Sequence, residues 1–260
     1  MNTVVLAIPL GIAIGLVVGT IGGGGAILAL PVLVYVLGED VGPATTASLV
    51  VVAIAAAVGA GALAARGHVC WRIVLTFVVP AGIASLAGTA LGTAVSPELL
   101  ILAFVPVMLV AAAATWYRAG QPGRDDTGDC PEPRADAVVV GGAGVGMLTG
   151  FFGVGGGFLI VPTLMLWLGF GFRRAVATSL VIITITGAAA LASHLAIGSA
   201  IDVGITVALA ASTAAGALLG TIYAQRIPQA GLARAFAIVV ALLALFLLVD
   251  TLALGGPPGA

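Results

Sequence analysis

The sequence has no lysine and few charges of either sign. Charged residues make up 7% of the 260, hydrophobic residues 61%, and the mean hydropathy is +1.27. A soluble domain usually carries about 25% charged residues, so this chain lacks the polar surface to cover a particle in water. A lipid bilayer is the solvent that fits. Nine arginines against ten acids give a net charge of −1, which excludes a basic nucleic-acid surface. Cysteine is nearly absent. Cys70 and Cys130 fall in no CxxC or Cys/His pattern and read as two unrelated thiols. With no metal cluster, no GxxxxGK[ST] loop and no Ser/His/Asp set, neither a metal, a cofactor nor catalysis is expected.

What is present is apolar sequence cut by short polar or Gly/Pro punctuation. A membrane-spanning helix needs about 20 apolar residues. Four regions in each half meet or approach that length: 3–37, 41–65, 73–95 and 97–117, then 137–171, 175–197, 203–225 and 231–251. The first of each set is interrupted by glycines. The N-terminal run lacks a positive flank and reads as a permanent membrane segment. Residues 118–136, RAGQPGRDDTGDCPEPRAD, hold five of the ten acids and form the natural linker. The expected organisation is a first transmembrane repeat over 1–117, a cytoplasmic linker over 118–136 and a second repeat over 137–260.

The repeat is visible residue by residue. Gly11, Gly15 and Gly19 reappear as Gly142, Gly146 and Gly150, each 131 positions further on. The same offset pairs Gly22 with Gly153, Gly24 with Gly155, Gly25 with Gly156, Pro31 with Pro162, Gly38 with Gly169, and Ser48 with Ser179. After one inserted residue, Gly88-Thr89 meets Gly220-Thr221.

Loop charge points to inversion. Cytoplasmic loops are rich in Arg. The first half has Glu39-Asp40 where the second has Arg173-Arg174, and Arg66 and Arg72 where the second has Asp202. Opposite signs in equivalent loops put Arg66, Arg72, Arg118, Arg173, Arg174, Arg226 and Arg234 inside, and Glu39, Asp40, Glu98, Asp202 and both termini outside. Inverted halves need an odd number of crossings each, so each glycine-broken element adds none or two. The expectation is an all-α polytopic protein of two inverted repeats, with eight to ten membrane helices and a first element folded back at its glycines in each repeat.

The breaks, GTIGGGGAILALP and GFFGVGGGFLIVP, are where chemistry is expected. Consecutive glycines disfavour helix by about 1 kcal/mol each. Irregular backbone at membrane depth survives only where protein buries it or water reaches it. Broken helices at matching places in two repeats mark transporter substrate sites. A helix restarting after the break presents free N–H groups and a positive dipole end, which suit an anion. The restarts fall near Ala26 and Gly157. The candidate binding set is Thr20, Gly22, Gly23, Gly24, Gly25, Thr46 and Ser48 with Gly153, Gly155, Gly156, Gly157, Thr178 and Ser179. The four-spaced glycines read as packing positions, and Ser48 and Ser179 can equally bond their own helix carbonyls. His68 reads as a solvated loop residue and His194 as a packed one. All ten acids fall at segment ends or in loops, so no buried carboxylate relay is expected. Trp71, Trp116 and Trp167 read as interfacial anchors.

The paired GxxxGxxGxGGGxLxxPxL-like stretches, each followed by ATTASL or RRAVATSL, resemble the TauE/SafE family of sulfite exporters and related permeases over nearly the whole chain. The resemblance implies a multi-pass protein of the bacterial inner membrane that moves a small sulfur anion, such as sulfite or an organosulfonate. The expected partners are that anion and the lipid bilayer, with oligomeric state open. The alternatives are an anion channel and a non-transporting membrane assembly protein.

Overall fold

The structure, a computed structural model, describes residues 2–23, 26–39, 41–92, 94–119, 121, 130, 135–152, 157–196 and 203–251. Among these every regular element is helical: α1 (Asn2–Ile21), α2 (Ala26–Pro31, continued by a π turn over Val32–Val36), α3 (Val41–Ala64), α4 (Trp71–Gly92), α5 (Pro97–Ala119), α6 (Ala135–Phe152), α7 (Gly157–Trp167), α8 (Phe172–Ala196), α9 (Val203–Tyr223) and α10 (Gln229–Val249). Seven of them, α3 to α6 and α8 to α10, are long and apolar enough to cross a membrane. The 11 residues of α7 reach only about 16 Å at 1.5 Å per residue, roughly half of a hydrocarbon core. Large apolar side chains cover the outside: Leu75, Ile83 and Leu86 of α4 are 68%, 68% and 74% exposed. A helix apolar on every face belongs in lipid.

The four-spaced glycines are packing positions, and each set packs on the other repeat. α1 lies along α9, and α6 along α4. A methyl group added at Gly15 or Gly19 would overlap the carbonyl oxygen of Thr213 or Ala217. At Gly146 and Gly150 it would overlap those of Ala81 and Ser85. Gly88 against Met147 and Gly220 against Leu16 complete the match. Lipid tails are as apolar as Leu, so helices associate in a membrane through such close backbone contact.

Side-chain contacts gather the arginine-bearing helix ends at one end of the bundle. Arg173, at the start of α8, donates to the carbonyls of Ala224 (3.3 Å), Gln225 (2.9 Å) and Ile227 (2.9 Å) beyond the end of α9. Arg234 of α10 lies 5.7 Å from the centre of the Trp116 ring of α5. Arg118, ending α5, donates to Leu166 O of α7 at 3.1 Å. Trp71, Trp116 and Trp167 are each at least half exposed and all sit at this arginine end, as a one-sided interfacial belt. Arg173→Ala removes the charge-assisted contacts that one guanidinium nitrogen shares among three carbonyls beyond α9. It should lower stability by about 1.5–3 kcal/mol, read as a fall in melting temperature in detergent; an unchanged melting temperature would contradict that capping role.

One expectation needs correction. Cys70 and Cys130 are not independent thiols; they form a disulfide across 60 residues of sequence. No local spacing announces such a pair, because only the fold brings the linker to the start of α4. Asp250, at the end of α10, is held by a partner from the other half. It is 5% exposed and accepts a 2.9 Å hydrogen bond from the Tyr35 hydroxyl, while the Tyr35 ring meets Phe246 edge-on. In the repeat, Asp250 corresponds to Arg118 and Tyr35 to Leu166. Each half's last helix thus fastens the other half's short helix, once through an acid and once through a base. Asp40, Asp202 and the C-terminal residues 252–260 lie outside the described residues, as do the side chains of Glu98 and His194.

Candidate functional site

The glycine breaks meet. Gly22 ends α1 in the left-handed region (φ 78°), its N–H closing on Val18 O at 2.8 Å. That conformation is natural to glycine and disfavoured for any residue with a Cβ. Gly23 follows with its Cα against the carbonyl of Gly157, where a methyl group would overlap. Gly157 is the first residue of α7, and α2 restarts at Ala26. These are the two restarts expected from the sequence. Gly24, Gly25, Gly153, Gly155 and Gly156 lie outside the described residues.

The hydroxyls divide into two groups. A Cβ at Gly22 would come 3.4 Å from Ser179 Oγ and close to Val176, so Ser179 of α8 stands at the first break. Thr178 and Ser179 are fully buried. Ser179 donates to Val176 O (2.8 Å), its equivalent Ser48 to Thr45 O (2.7 Å), and Thr20 to Leu16 O (2.7 Å). Each hydroxyl proton is therefore committed to its own helix. Turning it to an anion would give up a bond worth about 1 kcal/mol net. The first-turn amides of α7 have no partner within their own helix. Thr178 Oγ1 instead accepts the Cys70 N–H at 3.4 Å. Thr46 is fully buried in α3.

Beside Gly157 lies a cavity of about 330 Å³. Its walls are Phe77, Ala81, Ser85 and Leu86 of α4, Val145 and Thr149 of α6, Ile160 of α7, Ile182, Ile183 and Thr186 of α8, and Leu49 and Val52 of α3. Among the described residues that line it, none is charged. Ser85, Thr149 and Thr186 are not among the sequence candidates: the α4–α6 pairing brings Ser85 and Thr149 to the cavity, and Thr186 comes from α8, about two turns beyond Ser179. Thr149 and Thr186 also donate to their own helices, at 2.7 and 2.9 Å. Thr178 precedes Ile182 by one turn on the same face of α8, and Cys70 caps the start of α4, whose Phe77 is a wall residue. The Cys70–Thr178 contact therefore lies on the arginine-end side of the cavity, one turn of α8 from Ile182. His68, expected to be solvated, is half-buried there, with a buried Nδ1 that has no hydrogen-bond partner.

The equivalent interface in the other half is packed differently. α3 lies closely along α9, whereas the matching α8–α4 pair is splayed around the cavity.

Similarity to known proteins agrees with this arrangement. The profile of the family described as "Sulfite exporter TauE/SafE" matches residues 7–247. A "Probable membrane transporter protein" of Xylella fastidiosa is 29% identical over 258 residues, 95% of this chain and 96% of the relative. The "Probable membrane transporter protein YunE" of Bacillus subtilis is 30% identical over 213 residues, 72% and 78% of the two chains. No solved structure matches significantly. A profile match over nearly the whole length, on a multi-pass helical fold with glycine-broken elements, means that this chain belongs to the TauE/SafE family of membrane transporters.

Proposed function

We propose that the protein is a secondary transporter of a small anion, with sulfite or another sulfur oxyanion or organosulfonate as substrate, working by alternating access of two inverted repeats in the bacterial inner membrane. The observation that carries this reading is the difference between two equivalent interfaces: α3 lies closely along α9, while α4 and α8 are splayed around a cavity beside the crossing of the two breaks. Exchanging the two arrangements would move the opening from one membrane face to the other, as inverted-repeat carriers do.

Inversion is supported by helix direction. α4 and α6 run side by side from the arginine end, with Gly142, Gly146 and Gly150 meeting Phe77, Ala81 and Ser85 in order. α7 then ends by Arg118, back at that end. α1 runs with α9 toward the arginine end, and α2 continues to Tyr35, beside Asp250 at the far end of α10. The positive-inside tendency puts the arginine end in the cytoplasm. Anion selectivity would come from the donors, the first-turn amides of α7 and the positive end of its dipole, in an apolar cavity with no carboxylate among its described lining residues.

Thermal stabilisation of the purified protein tests the substrate class. Sulfite, thiosulfate and taurine should raise the melting temperature, and sodium chloride at equal ionic strength should not. A ligand at about 100 times its Kd stabilises by roughly 2.7 kcal/mol. A panel silent for every sulfur anion would remove the substrate assignment.

A further inference from the structure

We propose that the Cys70–Cys130 disulfide is a reversible redox site: a thiol at the arginine end opens it, and its opening loosens the contact between Cys70 and Thr178 on the arginine-end side of the cavity. The sidedness and the transport readout rest on the function proposed above; the redox chemistry does not.

The two sulfurs stand in different surroundings. Cys70 is fully buried, whereas Cys130 is exposed. An incoming thiolate therefore reaches the Cys130 sulfur. With attack at Cys130, Cys70 is the leaving group. Its carbonyl accepts the N–H of Ile73 (3.0 Å) and Val74 (3.1 Å), which makes it the N-cap of α4. A thiolate at a helix N-terminus is stabilised by the dipole and the free amides, and a more stable thiolate leaves faster. The chemistry balances as follows. The attacking thiolate forms a mixed disulfide with Cys130, and the electron pair of the broken bond departs on Cys70. A second thiolate attacks the outer sulfur of the mixed disulfide, releasing Cys130 as thiolate. The two external thiols leave as one oxidised disulfide, and the protein pair has gained two electrons.

Position gives the reaction its consequence. The bridge lies at the arginine end, in a compartment whose thiol pool keeps cysteines reduced and where disulfides are transient. The backbone N–H of Cys70 is bonded to Thr178, one helical turn from the cavity wall at Ile182. With the bridge intact, Cys130 covers Cys70 and the α4–α8 contact stays shut. With the bridge open, water reaches that contact and the two helix starts can part.

The test uses the full-length protein in proteoliposomes. Thiol labelling read by mass is performed across glutathione/glutathione-disulfide ratios, and initial sulfite flux is measured at each ratio. The pair should be reduced at cytoplasmic ratios, and reduced protein should carry sulfite several-fold faster than oxidised protein. Cys130→Ser, which leaves Cys70 and its helix cap in place, should show the faster flux at every ratio. Hydrogen exchange at residues 70–74 should rise on reduction whether or not the protein carries sulfite, which separates failure of this proposal from failure of the substrate assignment. A pair that stays oxidised at cytoplasmic ratios would overturn the redox site. Full reduction with unchanged exchange at 70–74 would overturn the coupling to Thr178.

Discussion

Gly15→Val and Gly146→Val should each leave little folded protein, whereas Gly144→Ala should leave a monodisperse one. Gly15 and Gly146 face main-chain carbonyls of α9 and α4, while a Cβ at Gly144 meets nothing within 4 Å. Overpacking a core costs about 1–3 kcal/mol when side chains can rearrange. Here the obstacle is backbone, so relief requires separating two helices along their length, and the loss should reach the top of that range or beyond. Against a total stability of about 5–15 kcal/mol, that is a large share of the margin, and a loss beyond the range exhausts its lower end. Size-exclusion profiles and melting temperatures in detergent measure it. A Gly146→Val protein as stable as Gly144→Ala would refute the swapped α4–α6 packing.

Gly23→Ala should abolish anion-induced stabilisation while sparing the fold. The added methyl group would collide with the Gly157 carbonyl, push the two breaks apart and displace the start of α7. An affinity loss of at least about tenfold corresponds to only 1.4 kcal/mol, a small demand on such a displacement. Gly61→Ala in α3, where a Cβ meets nothing, is the control. If Gly23→Ala kept the full thermal shift with sulfite, the crossing of the breaks would not be the binding place.

The sequence was most legible where one repeat could be compared with the other. Gly11/Gly15/Gly19 and their equivalents read correctly as packing positions, and the restarts of α2 and α7 fall at the expected residues. What periodicity does not carry is the partner: nothing in α1 says that its groove is on α9. The Cys70–Cys130 bridge and the Tyr35–Asp250 bond escaped for the same reason, since each joins residues far apart in sequence that only the fold brings together. The cavity escaped for a different reason. It exists because equivalent interfaces adopt different packings, and a duplicated sequence predicts only that they are alike.

The exchange of first helices between halves also bears on synthesis. When the first repeat leaves the ribosome, α1 has no groove to enter, and the glycine face of α4 waits for a helix not yet made. The early half therefore stands in the lipid with open seams until α6 and α9 arrive. Chain completion and assembly are thus one event: neither half, made alone, carries the surfaces it needs to close.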